Sequence, residues 1–393
     1  MRALLLVFPA MKVLFLLFSL FFSPLTQAGA TPIGAAGMPP VPVLEARAYL
    51  LYDVTSNQIL VNQNGTERME PASLTKMMTA YLAFSALRQK TLIQEQQITP
   101  SADAVKPQGE ESRMFLESNK SATVGELLRG LIVQSGNDAA RVLAETISGS
   151  EAAFAERMNR EAQRLGLRNT HFVNATGLPA PQHYSSAYDM AMLAAAIIRD
   201  FPEFYSIYSQ REFSYNGITQ PNRNRLLWMD PFVDGLKTGH TSSAGFCLVS
   251  SARRGERRLI SVVLGTDSDT ARAVESQKLL NHGFQDFEAV RLYARGQPVS
   301  EVRVWKGTEK MLPVGFRQEM YVSVPRGMKA QLQARIEMQH PLIAPIGLGQ
   351  RVGTLKLSLN GKPYFDYPLL AQQAVPVANV FSRGWDTLRL FFE

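Results

Sequence analysis

Pro71-Ala72-Ser73-Leu74-Thr75-Lys76-Met77-Met78-Thr79-Ala80-Tyr81 is the stretch on which the reading of this chain turns. Leu74, Met77, Met78, Tyr81 and Leu82 recur at helical spacing, which predicts a helix with its apolar side in a core. Residues three apart share a helix face, so the Lys76 amine reaches the Ser73 hydroxyl. A serine is a weak nucleophile until a neighbouring base takes its proton. A lysine becomes such a base when burial or another cation disfavours its charge. Among the twelve lysines, Lys76 alone completes a Ser-x-x-Lys.

The surrounding pattern is α+β. Tyr49–Val61 gives two β-like runs around Thr55-Ser56-Asn57, a hairpin signal. Helical periodicity covers 123–147, 151–166 and 270–281, and Ser186-x-x-Asp189 opens a further helix in the manner of a capping box. Apolar runs at 232–236, 245–251 and 259–265 read as strands. Helices interleaved with such strands predict an antiparallel sheet covered by helices. From Val299 onward the pattern changes to short alternating strands, 299–305, 319–324, 330–338, 353–359 and 362–369, divided by turns. They predict a small all-β sandwich.

The expected division is therefore a catalytic unit over 46–289, a β-sandwich over 290–376 and a terminal helix over 379–393. In that helix Val380, Phe381, Trp385, Leu388, Phe391 and Phe392 fall within about 140° on a helical wheel. Such a face can lie in a membrane interface, although so short a helix cannot span one; docking on its own β-domain is the alternative. At the other end, Arg2 and Lys12, the apolar stretch 13–22 and Ala28-Gly29-Ala30 read as a signal peptide over 1–30. A Pro/Gly/Ala-rich leader follows over 31–45. Met11 offers a second possible start, and Leu4–Phe8 a longer, uncleaved anchor.

Composition narrows the classes. The 393 residues are 46% hydrophobic with a formal charge of +7, enough for sizeable cores. The basic pairs Arg253-Arg254 and Arg257-Arg258 read as solvated turns, and no nucleic-acid-binding motif is present. Cys247 is the single cysteine, so no intramolecular disulfide forms, and its apolar run predicts inert packing. No metal or cofactor is expected. Neither Gly-x-Ser-x-Gly nor His-Glu-x-x-His occurs.

Two further motifs follow Ser73 in order: Ser135-Gly136-Asn137 and Lys237-Thr238-Gly239. Ser-x-Asn recurs at Ser214 and Ser358, but order and spacing select Ser135. Each group has a chemical use. Ser73 attacks a carbonyl and Lys76, held neutral, takes its proton. A three-unit displacement of Lys76 corresponds to about 4 kcal/mol. Ser135 relays a proton to a leaving amine, and the Asn137 amide holds Lys76 and the substrate backbone. Lys237 keeps the local potential positive, while Thr238 lies on the strand that receives the substrate. Gly239 lets an extended substrate add to that strand. The backbone amides of Ser73 and His240 form an oxyanion hole, in which one donor is worth about 10²–10³ in rate.

The three motifs resemble the penicillin-binding and serine β-lactamase superfamily. PASLTKMMTAY, VQSGNDAA, YSSAYDMA, NGITQPNRN and VDGLKTGHTSSAGFCLV are similar to D-alanyl-D-alanine carboxypeptidases of the penicillin-binding protein 5 and 6 type. The resemblance covers nearly the whole mature chain. It implies a penicillin-binding, β-lactamase-like catalytic domain. It also implies removal of the terminal D-alanine from peptidoglycan pentapeptides through a Ser73 acyl-enzyme, acylation by β-lactams, and a place on the periplasmic face of the inner membrane. It implies that Arg223 and Arg272 receive the substrate carboxylate. The sequence departs from the pattern at 101–115, which is shorter and more acidic (Glu110-Glu111). Thr170–Asn174 stands where a class A β-lactamase has Glu-x-x-Leu-Asn, so efficient penicillin hydrolysis is not expected. The alternatives are a D,D-endopeptidase and, from another class, a non-catalytic wall-binding scaffold.

Overall fold

The computed structural model describes residues 37–390. The expected signal peptide, the start of the leader and Phe391–Glu393 lie outside the described residues.

Strand β1 (Ala48–Asp53) turns through Val54–Asn57 into β2 (Gln58–Gln63). Asn57 takes a positive φ of 58° there, which asparagine tolerates. With β3 (Val233–Thr241), β4 (Gly245–Arg254) and β5 (Arg257–Thr266) they form one antiparallel sheet in the order β2-β1-β5-β4-β3. Both faces are covered, so the apolar side chains of the strands are dealt alternately to two cores. Leu50, Tyr52, Val249, Ile260 and Val262 enter the larger core. It is filled by α1 (Lys76–Arg88), α2 (Val124–Ile132), α3 (Asn137–Ser148), α4 (Glu151–Arg164) and α5 (Ala187–Asp200). Tyr49, Leu51, Leu248, Leu259 and Val263 enter the other, under α6 (Asp269–Asp286). Cys247 is fully buried in β4, and burial raises its thiol to about 11, as expected of inert packing.

Several expectations are corrected. The helical pattern over 123–147 is two helices, because Ser135 adopts φ +61° and Gly136 caps α3. Ser186 caps α5 by accepting from Asp189 N–H. The Asp189 carboxylate does not return the bond but accepts from Asn169 N–H and Thr170 Oγ1. The basic pairs are largely not solvated turns. Arg254 bonds Asp230 and Asn281, and Arg258 holds Asp234 at 2.7 Å. Arg257 pairs with Asp53, which is wholly buried, and only Arg253 stays at its turn.

The second unit begins with β6 (Phe287–Tyr293), which follows α6 without a loop and was hidden in the sequence behind that helix. Residue 290 falls inside it. Strands β7 (Pro298–Trp305), β8 (Met311–Gly315), β9 (Met320–Pro325), β10 (Leu332–Met338), β11 (Leu342–Ile343), β12 (Arg351–Leu359) and β13 (Lys362–Ala371) follow. A six-stranded sheet ordered β10-β12-β13-β8-β7-β11 and the pair β6-β9 enclose Val290, Val322, Val324, Leu355, Leu357 and Tyr364. The short β8, with Pro313 inside it, was not foreseen. Helix α7 (Val380–Leu390) closes the described chain.

Asp53 ties the two units together. One carboxylate oxygen accepts from Thr55 N–H (2.9 Å) and Ser56 N–H (3.2 Å), ordering the β1–β2 turn. The other accepts from Arg257 Nε (2.8 Å) and from Ser323 Oγ (2.6 Å) on β9. Arg257 also donates to the Gly283 and Phe287 carbonyls where α6 passes into β6. Removing one member of a buried ion pair leaves the other uncompensated, typically at about 3–5 kcal/mol. Asp53→Ala is expected to lose about that much in chemical denaturation. A variant as stable as the parent would show that Arg257 finds another partner.

Candidate active site

The Ser73 turn is a 3₁₀ helix, Ala72–Thr75, that runs directly into α1 at Lys76. Ala72 is at φ +47°, a left-handed conformation that throws the chain sharply into the helix. Lys76 is 1% exposed, and its Nζ donates to Ser73 Oγ (2.8 Å) and to the Thr176 carbonyl (2.7 Å). Burial pushes its amine down to about 7. The Glu111 carboxylate opposes this, while Arg223 and Arg141 add to it.

Thr176 was not anticipated, and its presentation is built locally. The Asn174 side-chain oxygen accepts from Thr176 N–H, Thr176 Oγ1 and Gly177 N–H, closing a tight turn. Thr79 Oγ1 donates to the Ala175 carbonyl and pins that turn to α1. His183 Nδ1 accepts from Val173 N–H, so Nε2 carries the proton and donates to Thr75 Oγ1. Burial lowers His183 to about 4, which keeps it neutral in this supporting position. Gly177, at φ +86°, lies against the Ser73 turn: a Cβ there would sit 1.8 Å from the Ala72 carbonyl.

Ser135 stands in the break between α2 and α3, and its hydroxyl accepts from Lys237 Nζ at 2.9 Å. Lys237 also donates to the Thr238 carbonyl. Burial first, and then Lys76, Arg223 and Arg272, hold Lys237 well below the ordinary lysine range. The arginines of the cleft add permanent positive charge beside it. Gly239 is required by the fold itself, because a Cβ there would lie 2.9 Å from the Pro71 carbonyl. The close approach it permits is between β3 and the Ser73 turn.

Asn137 departs from expectation. Its amide Nδ2 donates to Glu111 Oε2 at 2.7 Å, and the Lys76 amine is held by the Thr176 carbonyl instead. Arg223 is exposed in the cleft and has no hydrogen-bond partner among the described residues. Arg272 is buried, bonded to the Gly239 carbonyl and paired with Asp269. His240 stacks on Phe246 with ring centres 3.9 Å apart. Ser73, Ser135, Asn137, Thr238, Gly239, His240, Arg223 and Arg272 all line one open cleft of about 1210 Å³, with Lys76 and Lys237 beneath its floor. The other Ser-x-Asn serines are elsewhere: Ser214 bonds Thr219 in a small hairpin and Ser358 lies on β12.

Comparison with known proteins agrees with this geometry. The D-alanyl-D-alanine carboxypeptidase family model matches residues 36–268, and that of the penicillin-binding protein 5 C-terminal domain matches 287–377. The chain is 42% identical over 357 residues to the D-alanyl-D-alanine carboxypeptidase DacC of Escherichia coli, covering 89% of each. It superposes on penicillin-binding protein 5 from Haemophilus influenzae with a TM-score of 0.82 at 42% identity, over 86% of this chain and 99% of that one. Penicillin-binding protein D2 from Listeria monocytogenes, solved in its ampicillin-bound form, matches with a TM-score of 0.58 at 31% identity, over 63% of this chain and all of that one. This chain belongs to the D-alanyl-D-alanine carboxypeptidase family and carries behind its peptidase domain the C-terminal domain of penicillin-binding protein 5.

Proposed function

We propose that this protein removes the terminal D-alanine from peptidoglycan pentapeptides through an ester on Ser73, and that β-lactams acylate the same hydroxyl. The observation that carries the reading is the buried Lys76 amine, 2.8 Å from Ser73 Oγ and brought down to about 7. Once that amine is neutral the bond reverses: the Ser73 hydroxyl donates and the Lys76 lone pair accepts. Ser73 Oγ adds to the carbonyl of the penultimate D-alanine and its proton passes to Lys76. Collapse breaks the C–N bond, forms the ester, and delivers a proton through Ser135 to the leaving D-alanine amine. Water then cleaves the ester and restores Ser73. Arg223, unpartnered in the cleft, meets the terminal carboxylate. Arg272, tied to Asp269, shapes that end of the site. The backbone amides of Ser73 and His240 are the proposed oxyanion donors.

The peptidase unit over 46–289 is placed outside the cytoplasm by the signal peptide over 1–30 and held at the periplasmic face of the inner membrane by α7. Among the described residues no helix is long and apolar enough to cross a membrane. The apolar side of α7 is not docked on the β-domain: Val380 is 76% exposed, Phe381 91%, Trp385 61% and Leu388 60%. Its polar side is fixed instead, with Asp386 accepting from Lys306 N–H at 2.7 Å. That favours a helix lying in the lipid interface, with Trp and Phe inserted.

Ser73→Ala is expected to abolish D-alanine release from a Lys-D-Ala-D-Ala peptide; retained release contradicts the mechanism and loss of release argues against a scaffold role. In the parent, acylation rises with pH through a limb near 7, because below it Lys76 is protonated and cannot accept. At pH 5 the rate falls by about a hundredfold from its plateau, whereas a limb near 10 would contradict a depressed Lys76. Deleting 379–393 is expected to move the protein from the membrane to the soluble fraction with its peptidase activity intact. Continued membrane binding would overturn the role of α7.

A further inference from the structure

Glu111 lies in the segment where the sequence departs from its family's pattern, and nothing in the mechanism above uses it. Its side chain is 1% exposed although it sits at the edge of the cleft. Oε1 accepts from Arg141 Nη2 at 2.8 Å and from Gln108 N–H, and Oε2 from Arg141 Nη1 at 3.0 Å and from Asn137 Nδ2 at 2.7 Å. The Arg141 side chain is 4% exposed, and its remaining donors reach the Ala104 and Lys106 carbonyls. The pair is thus a two-pronged charged clamp out of water, where both geometry and charge are firmly held. Neighbouring bonds fasten the same loop to the start of α3: Asn137 N–H donates to the Ser112 carbonyl, and the Asp138 carboxylate accepts from Met114 and Leu116 N–H.

A carboxylate only accepts, so the nitrogen end of the Asn137 amide must face Glu111 and its Oδ1 must face away. An asparagine without such a partner could turn over. We propose that Glu111 is a positioning residue for acyl transfer: with Arg141 as counter-ion it locks the Asn137 amide in one orientation at the cleft and places a fixed negative charge beside the Ser73–Lys76 pair. The proposal rests on the reading of Ser73 as nucleophile and Lys76 as its base.

The charge has a definite direction of action. Glu111 and Asp138 favour protonated Lys76, Arg141 and Arg223 disfavour it, and Lys237 shares the same buried cavity. Burial alone would leave Lys76 a poorer base, and Glu111 is the first of the charges that offset it. Arg141 pushes the other way. A clamp that served only to hold the loop would give its two members the same effect when removed, whereas an electrostatic role gives them opposite effects.

The test is the pH profile of Ser73 acylation by a fluorescent penicillin in the full chain, for Glu111→Gln, Glu111→Asp and Arg141→Gln, with folding checked by thermal unfolding. Glu111→Gln is expected to move the acylation limb to lower pH by about half a unit and to lower the plateau by up to about threefold through a weaker base. Arg141→Gln is expected to move the limb to higher pH, and Glu111→Asp, which keeps the charge, to leave it in place. If Glu111→Gln does not fold, the sign of the Arg141→Gln displacement decides. An unmoved limb, or the same displacement in both, overturns the positioning role while Ser73 labelling continues. Labelling of a Ser73→Ala variant would instead overturn the reading beneath it.

Discussion

A buried amine with no carboxylate in hydrogen-bond contact is the constraint around which this molecule is arranged. Lys76 has only a hydroxyl and a peptide carbonyl within hydrogen-bond reach, so its charge is costly and its neutral form is favoured. Keeping it so requires a shell of other parts. The turn at Asn174–Gly177 must present a carbonyl, neutral His183 must brace Thr75, and β3 must pass close enough to exclude water. Gly177 and Gly239 are the positions where that closeness leaves no room for a side chain. The Ser73 turn is therefore shaped from three sides by segments distant in sequence.

The sheet supplies the rigidity. Its strands are shared between two cores, so a shift of β3 relative to the Ser73 turn would disturb packing on both faces. The second unit is joined by a buried polar knot at Asp53, Arg257 and Ser323, which specifies a geometry in a way that apolar contact does not. The consequence is that the cleft on one unit and α7 at the end of the other belong to a single frame. The attachment proposed for α7, with the cleft turned toward peptidoglycan, depends on such a frame.

Much of this was legible in the sequence because it is local or ordered along it. The spacing of Ser73 and Lys76, the alternation around the Thr55–Asn57 turn and the apolar run at Cys247 each follow from a short periodicity. The parts that escaped are those whose meaning depends on contact across the fold. Arg257 looks like a turn residue until Asp53 is placed beside it. Glu111 and Arg141 belong to separate segments with no shared pattern, and the acidic pair at 110–111 was the only hint of them. The strand at Phe287–Tyr293 was missed because it continues from α6 without the loop that punctuates other boundaries. The expected bond from Asn137 to Lys76 failed for the same reason: a better acceptor lay on a loop whose path the motif does not reveal.

The Ser73 hydroxyl is the nucleophile because burial lowers the Lys76 amine against it to about 7, where its neutral form is available to take the proton. Mass spectrometry of the protein after brief exposure to penicillin tests it most directly, since the bond that forms marks the attacking atom. The account predicts one adduct with the full mass of the antibiotic on the peptide containing Ser73, forming readily at pH 8 and much more slowly at pH 5. An adduct on another residue, or none at either pH, would contradict it.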